Sequence, residues 1–434
     1  MSAPDDHPTL LGRLRAAGGP RLLIGLVGIV VLFVPAASWL FGARATAIEN
    51  RPFADRPRLS QGWEMSDQFT AWFTDRLPIR AGAVDVRREV SRTLFAETPP
   101  AAGTSGPVGA GGDVAGGTAY VQDRSRQVLE GSDGWLYFGD DFVRACRPEQ
   151  PVDEALQQLR RLSEALRAAG KRSVLTIVPD KSTIETSFLP GDLPERECAA
   201  EARKQRYDGM RALRLPDLLD MKGVLVRLRD RVGAPVYVPT DTHVTTRGSA
   251  EYVRSVVDRL DPEAARTATL EDTGKPFVYT GDLSVFLGEP KEVSEPTLAF
   301  EKPGLQRRPT EDATPLPEYF VTRSRARGTS RAPVVPGRTV WYGDSFTQRA
   351  IPNIGAFFRD VWRVPELSNP GAAAKPEAAV DVLIDQIRKA DNVVLETVER
   401  QAFGRVDGSI LDPRVVDRIV AGLREDPGAR ASGR

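Results

Sequence analysis

The sequence predicts an α/β fold, a parallel sheet with helices on both faces, preceded by one N-terminal transmembrane helix. Three observations carry this. Helical stretches alternate with short β-branched apolar runs after residue 119, an uncharged run fills residues 22–43, and the residues suited to nucleophilic chemistry follow two of the apolar runs. Alternating helices and buried strands imply a sheet covered on both faces, with ligands bound outside the carboxyl ends of its strands.

The 434 residues are 41% hydrophobic and 27% charged, enough apolar material for a large core. A formal net charge of zero gives no reason to expect a nucleic-acid partner. As a helix, residues 22–43 extend roughly 33 Å, enough to cross a bilayer core. Arg13, Arg15 and Arg21 precede the run while Arg44 alone follows closely, so residues 1–21 form a cytoplasmic stub and the remainder lies outside. Cleavage at Ala45-Thr46-Ala47 is the competing reading, but the apolar run is longer than a signal-peptide core. Either way the part after the apolar run is exported, from an anchor in the cell membrane in the first reading.

Export makes the cysteine count meaningful. Cys146 and Cys198 are the only two, and outside the cytoplasm such a pair is expected to close a disulfide; two buried thiols are the alternative. Neither Cys-x2-Cys nor His-Glu-x-x-His spacing occurs, so no metal or other cofactor is expected.

Residues 44–97 read as a membrane-proximal helical segment and 98–118, rich in Gly, Pro, Ala and Ser, as a flexible linker. The main domain is placed at 119–425, with a disordered tail at 426–434. Within it, 128–137 reads as a β-hairpin around a Gly/Asp turn. Leu156, Leu159, Leu162 and Leu166 mark a helix at 152–169, which Gly170 ends before a strand at 173–178. A helix around 218–229 leads to a strand at 236–238, then to Asp241-Thr242-His243 and a helix that Thr245 or Thr246 can cap. Residues 262–336 look like an irregular insertion that can form a lid or substrate-facing surface. A strand at 339–342 turns through Gly343-Asp344-Ser345 into a helical run at 345–358. A last helix at 379–389 precedes a strand at 392–396.

Only two histidines occur, and His7 lies before the apolar run, leaving His243 as the one imidazole in the exported part. A serine hydroxyl needs a base within reach and a third group to hold the base's tautomer. In extended backbone Asp241 and His243 point to the same side, so Asp241 can hold one ring nitrogen while the other faces Ser345. The backbone N–H of Ser345, at a helix start, can act as one oxyanion donor. Gln348, Arg349 and Asn353 lie nearby, and spacing singles out none as a second. Each motif alone is a common turn; their conjunction in post-strand loops of a histidine-poor exported chain carries the argument.

The ordered set Glu49-Asn50-Arg51, Asp133-Gly134-Trp135-Leu136, Val178-Pro179-Asp180-Lys181, Asp241-Thr242-His243, Gly281-Asp282-Leu283 and Gly343-Asp344-Ser345-Phe346 resembles the AlgX/AlgJ alginate O-acetyltransferase family, with Glu396 and Arg400 extending the likeness. The resemblance implies an SGNH-hydrolase-like domain in which Ser345 takes an acetyl group, His243 is general base and acid, and Asp241 orients it. It also implies a multi-pass membrane-bound O-acyltransferase as acetyl supplier and a polysaccharide acceptor outside the cell. Val244 stands where the family often has a bulky aromatic, and Asp180 where it often has Asn. Asp180, Lys181, Arg349 and Arg400 are further candidates to line the site, although a buried structural ion pair is the plainer role for Lys181 and Arg400.

The leading expectation is therefore an extracytoplasmic O-acetyltransferase acting through acetyl-serine on an exported or cell-surface polysaccharide. An acetylesterase with the same three residues is one alternative. A non-catalytic polysaccharide assembly protein is another.

Overall fold

Strand residues alternate between two cores, and this alternation builds the sheet. Val174, Trp341 and Val394 enter one core, while Leu175, Val340 and Val393 enter the other. The computed structural model describes residues 127–313, 315, 319, 321–404 and 407–424. The expected cytoplasmic stub, transmembrane helix, membrane-proximal segment, linker and tail lie outside these residues. Among the described residues no helix is long and apolar enough to cross a membrane.

The chain opens with the hairpin β1 (Val128–Glu130) and β2 (Leu136–Phe138), paired antiparallel around a turn at Ser132–Gly134. Helix α1 (Asp140–Cys146) and helix α2 (Val152–Ala168) follow, then β3 (Arg172–Val178), helix α3 (Lys181–Ile184) and helix α4 (Arg196–Leu213). Cys146 and Cys198 form a disulfide between α1 and α4, their Cα atoms 5.5 Å apart. A closure of 52 residues constrains the unfolded chain by about 4 kcal/mol in the chain-entropy model. Next come β4 (Leu218–Leu219), helix α5 (Met221–Val232) and helix α6 (Thr246–Leu260). Thr245 caps α6, its side chain accepting from Gly248 N–H.

The main sheet is completed by β7 (Gln306–Arg307), β8 (Glu311–Asp312), β9 (Thr322–Arg327), β10 (Val335–Gly343), β11 (Phe358–Pro365) and β12 (Asn392–Val398). Its order is β4-β3-β12-β10-β11-β9-β7, with β8 also on β9. From β4 to β11 neighbours are parallel, whereas β9, β7 and β8 join antiparallel, so the sheet is mixed rather than wholly parallel. Helices α5, α6 and α9 (Ser345–Ile354) cover one face. Helices α2, α11 (Pro376–Lys389) and α13 (Pro413–Arg424) cover the other.

Residues 262–336 depart from the irregular insertion the sequence predicts. They carry an antiparallel ribbon of β5 (Thr269–Thr280) and β6 (Glu292–Glu301), joined through helix α8 (Asp282–Leu287). Almost all of β5 is exposed, and with no face packed down, the strand shows no apolar alternation to read.

Residues 236–238 also differ from expectation. They form no strand of the sheet: Tyr237 bridges to Val244 within its own loop, and the N–H of Val236 donates to the Glu185 carboxylate at 2.8 Å. A short buried apolar run thus finds its partners locally. The helix expected at 345–358 ends at Ile354, beyond Pro352, and β11 begins at Phe358.

Candidate active site

Parallel strands β3, β10, β11 and β12 end side by side, delivering Asp180, Ser345, Glu366 and Arg400 to one edge of the sheet. The loop carrying Asp241 and His243 is brought to that edge by side chains rather than by a strand. Lys181, two residues beyond Pro179 and buried, donates to the carbonyls of Val238 (3.0 Å), Pro239 (2.9 Å) and Asp241 (2.9 Å). Three donors meet three acceptors. Its Nζ also lies 5.4 Å from the ring centre of Trp135 and 5.3 Å from that of Tyr137. Burial pushes the ammonium down to about 7, against the pull of Asp282 and other nearby acids. The N–H of Leu136 adds a bond to Pro239 O at 2.8 Å.

Within the loop, His243 Nδ1 lies 2.7 Å from Asp241 Oδ1, which also accepts from the His243 N–H at 2.9 Å. Asp241 Oδ2 takes Arg349 Nη2 at 2.8 Å and the N–H of Asp282 at 3.1 Å. Burial raises the Asp241 carboxyl, but the hydrogen bond and charge of His243 together with Arg349 outweigh it and hold it at about 2. Asp241 is therefore ionised where it holds the His243 ring nitrogen. His243 Nε2 is buried and has no hydrogen-bond partner.

Asp282, not assigned a role from the sequence, completes the clasp. Its carboxylate accepts from the N–H of Thr242 at 2.7 Å and from the Thr242 hydroxyl, and reaches within 3.5 Å of His243 Nδ1. The Gly281-Asp282-Leu283 block held the signal: a Cβ on Gly281 would fall 2.4 Å from Thr240 O, so glycine alone lets the two loops touch. Ligand atoms of Asp241, His243 and Asp282 lie within 4.8 Å of one another, a set of types that can hold a cation. Arg349 already brings positive charge to that carboxylate.

Ser345 starts α9, whose cap is Asp344 accepting from Phe346 N–H at 2.8 Å. The second Asp344 oxygen takes the Val398 N–H at 2.9 Å, tying the turn to the end of β12. Glu396, fully buried, accepts from the Asp344 N–H at 3.1 Å and from Thr347 Oγ1 at 2.7 Å. Burial and then the charge of Asp344 push its carboxyl well up from the ordinary carboxylate range. A Cβ on Gly343 would fall 2.1 Å from Thr347 Oγ1 and 2.5 Å from Glu396 Oε2.

The structure brings Asp241 into direct contact with both His243 and Arg349. It places Ser345 on the adjoining helix: the His243 ring lies 4.9 Å, centre to centre, from the ring of Phe346, and Arg349 stands one helical turn beyond Ser345. No hydrogen bond joins His243 Nε2 to Ser345. Asp180 and Arg400 form a pair at 2.6 Å, with Asp141 at 3.8 Å from the same guanidinium. Burial and Asp141 push the Asp180 carboxyl up against the pull of Arg400. This is the structural ion pair the sequence allows, at the edge where Ser345 emerges; Lys181 instead binds carbonyls.

Residues 128–316 match the SGNH hydrolase-like domain of acetyltransferase AlgX. At the family level the chain therefore resembles the AlgX/AlgJ acetylases. It is 26% identical over 172 residues to a probable alginate O-acetylase AlgJ of Pseudomonas putida, covering 37% of this chain and 42% of that protein. The equivalent protein of Pseudomonas syringae pv. tomato is 28% identical over 170 residues, with 37% and 41% covered. The chain thus spans about two fifths of the length of the curated relatives it matches. Among solved structures, the O-acetyltransferase domain of Pseudomonas putida AlgJ is 18% identical, with a TM-score of 0.44 over 68% of this chain and 98% of that one. Pseudomonas aeruginosa AlgX is 12% identical, with a TM-score of 0.43 over 72% and 69%. The family match covers Lys181, Asp241, His243 and Asp282 and stops before Ser345. The serine therefore rests on the geometry of its own turn.

Proposed function

We propose that the chain is an extracytoplasmic O-acetyltransferase that carries acetyl on Ser345 and passes it to hydroxyls of an exported or cell-surface polysaccharide. In this reading residues 119–425 are the transferase domain, 22–43 anchor it in the cell membrane, and a multi-pass membrane-bound O-acyltransferase supplies the acetyl group. One observation carries it: the sole imidazole of the exported part has Nδ1 fixed by an ionised aspartate and Nε2 buried, unpaired, against the helix turn that Ser345 opens.

Ser345 Oγ attacks the acetyl carbonyl while His243 Nε2 takes its proton. The imidazolium, held by Asp241, then protonates the leaving group. An acceptor hydroxyl next attacks acetyl-Ser345, gives its proton to Nε2, and Ser345 regains it as the ester of the sugar departs. The N–H of Ser345, at the positive end of α9, stabilises the oxyanion. Nucleophile–base hydrogen bonds often tighten only with substrate in place, so the open Nε2 is consistent with a resting site. Asp282 positions the loop, and the match to the AlgX domain family supports acetyl transfer as the chemistry.

The test is turnover of p-nitrophenyl acetate by the full chain with and without added glycans. The proposal expects acetylated glycan, and a fall of roughly 10⁶-fold in Ser345→Ala. Equal glycan acetylation by Ser345→Ala would sink it. Hydrolysis that never leaves acetyl on any glycan would move the reading to an acetylesterase.

A further inference from the structure

The β5–β6 ribbon leaves an exposed aromatic ring beside the two residues, Tyr279 and Glu295, that reach the site. Phe277 is 41% exposed. It stands opposite Glu295 in the ribbon register, two residues before Tyr279, so all three side chains share one face. That face touches the site. Tyr279 lies over the Arg349 guanidinium at 4.1 Å and donates to Glu295 at 2.9 Å, while Glu295 accepts from the Thr246 N–H at 3.0 Å. Arg349 in turn binds Asp241. A continuous run therefore leads from Phe277, 4.9 Å from Tyr279 between ring centres, to the residue that orients His243.

The ribbon is also acidic. Strands β5 and β6 hold five Asp and Glu against one Lys, with Glu295 facing Arg349 and Glu301 facing Arg307. An acceptor that crosses this surface meets a negative field, which repels carboxylated sugars and leaves uncharged ones unaffected. An aromatic face with a polar border fits a sugar ring, which presents apolar C–H groups on one side and hydroxyls at its edge.

Resting on the acetyltransferase reading, we infer that the Phe277–Tyr279 face is the acceptor platform and that the acceptor is a neutral glycan, not a polyuronate. The ring of Phe277 stacks on a sugar unit while Tyr279 and Glu295 border the unit whose hydroxyl enters the site.

The experiment uses the full chain in detergent with p-nitrophenyl acetate as donor and two acceptors of equal length, a neutral glucan hexasaccharide and a polyuronate hexasaccharide. The inference expects transfer to the neutral glycan with at least roughly tenfold higher kcat/KM than to the polyuronate at low salt, the gap narrowing as salt screens the ribbon. Phe277→Ser should raise the KM for the neutral acceptor roughly tenfold with kcat little changed, and Phe277→Trp should keep it near wild type. Acetyl-Ser345 is measured in the same wild-type samples. If it never forms, the acetyltransferase reading itself falls. If it forms and Phe277→Ser leaves KM unchanged, or the polyuronate is the better acceptor, the platform is overturned and the reading beneath it stands; if it forms and neither glycan is acetylated, the platform is overturned and the reading moves to the acetylesterase.

Discussion

The histidine loop and the serine turn sit side by side but are held by different physics. Around His243, charge from distant segments does the holding: Lys181 from the end of β3, Asp282 from the ribbon and Arg349 from α9 each bind the Asp241–His243 stretch directly. Around Ser345 the constraints are short-range and sterically tight. Asp344 caps its own helix, Gly343 admits Thr347, and Glu396 lies beneath, accepting from the Asp344 N–H and the Thr347 hydroxyl. The proposed base is thus a long-range construction and the proposed nucleophile largely a local one, so substitutions should injure them in different ways.

The sharpest break in the comparison is Asp241→Asn. It keeps the shape but removes the charge that fixes Nδ1 and pairs with Arg349, so kcat should drop roughly 10³–10⁴-fold with the fold retained. Steady-state kinetics beside circular dichroism reads both parts. Lys181→Met comes next: three loop carbonyls lose their donors at once, so stability should fall by about 3 kcal/mol or more and activity should fall with it. Urea denaturation measures the first, and a melt indistinguishable from wild type would show that the lysine does not hold the loop.

Gly343→Ala probes the other side. With a Cβ driven into Thr347 and Glu396, we expect a loss of about 2 kcal/mol and a displaced Ser345, while the histidine loop keeps its hydrogen bonds. Nitrogen-15 NMR of the His243 ring can follow that difference.

The smallest effect concerns Glu366, which burial and then the charge of Asp344 push up to about 7. Between its unfolded value, roughly 4.3, and about 7 the folded state keeps a proton that the unfolded state has lost. Stability should therefore fall as pH rises through that window and level off above it. Glu366→Gln should remove the fall, gaining about 2 kcal/mol by pH 6 and little at pH 4.5, as read from urea midpoints. An unchanged pH profile would mean that this acid does not titrate as its surroundings require.

The same contrast explains what was legible in the sequence. Helix α2 and strands β3, β10 and β12 were readable because their apolar residues repeat at helix or strand period and both sheet faces are buried. Gly343-Asp344-Ser345 was readable for the same local reason. Residues 236–238 look like a strand because a β-branched run carries no mark of whether its hydrogen bonds go to a sheet or to Glu185. The antiparallel strands β7 and β8 are two polar, exposed residues each and leave no pattern. Asp282 lies 41 residues beyond Asp241, and its N–H reaches that carboxylate through a close approach that spacing cannot express. Lys181 fits an ion pair by residue type; its actual partners are carbonyls, which any sequence supplies.

Mass spectrometry of the full chain after exposure to an acetyl donor addresses the central claim most directly, since a covalent intermediate must add about 42 Da to one residue. The account predicts that this mass appears on the peptide containing Ser345, is absent in Ser345→Ala, and forms at least about a hundredfold more slowly in His243→Gln. An adduct on another side chain, or one that persists undiminished without Ser345, would contradict it.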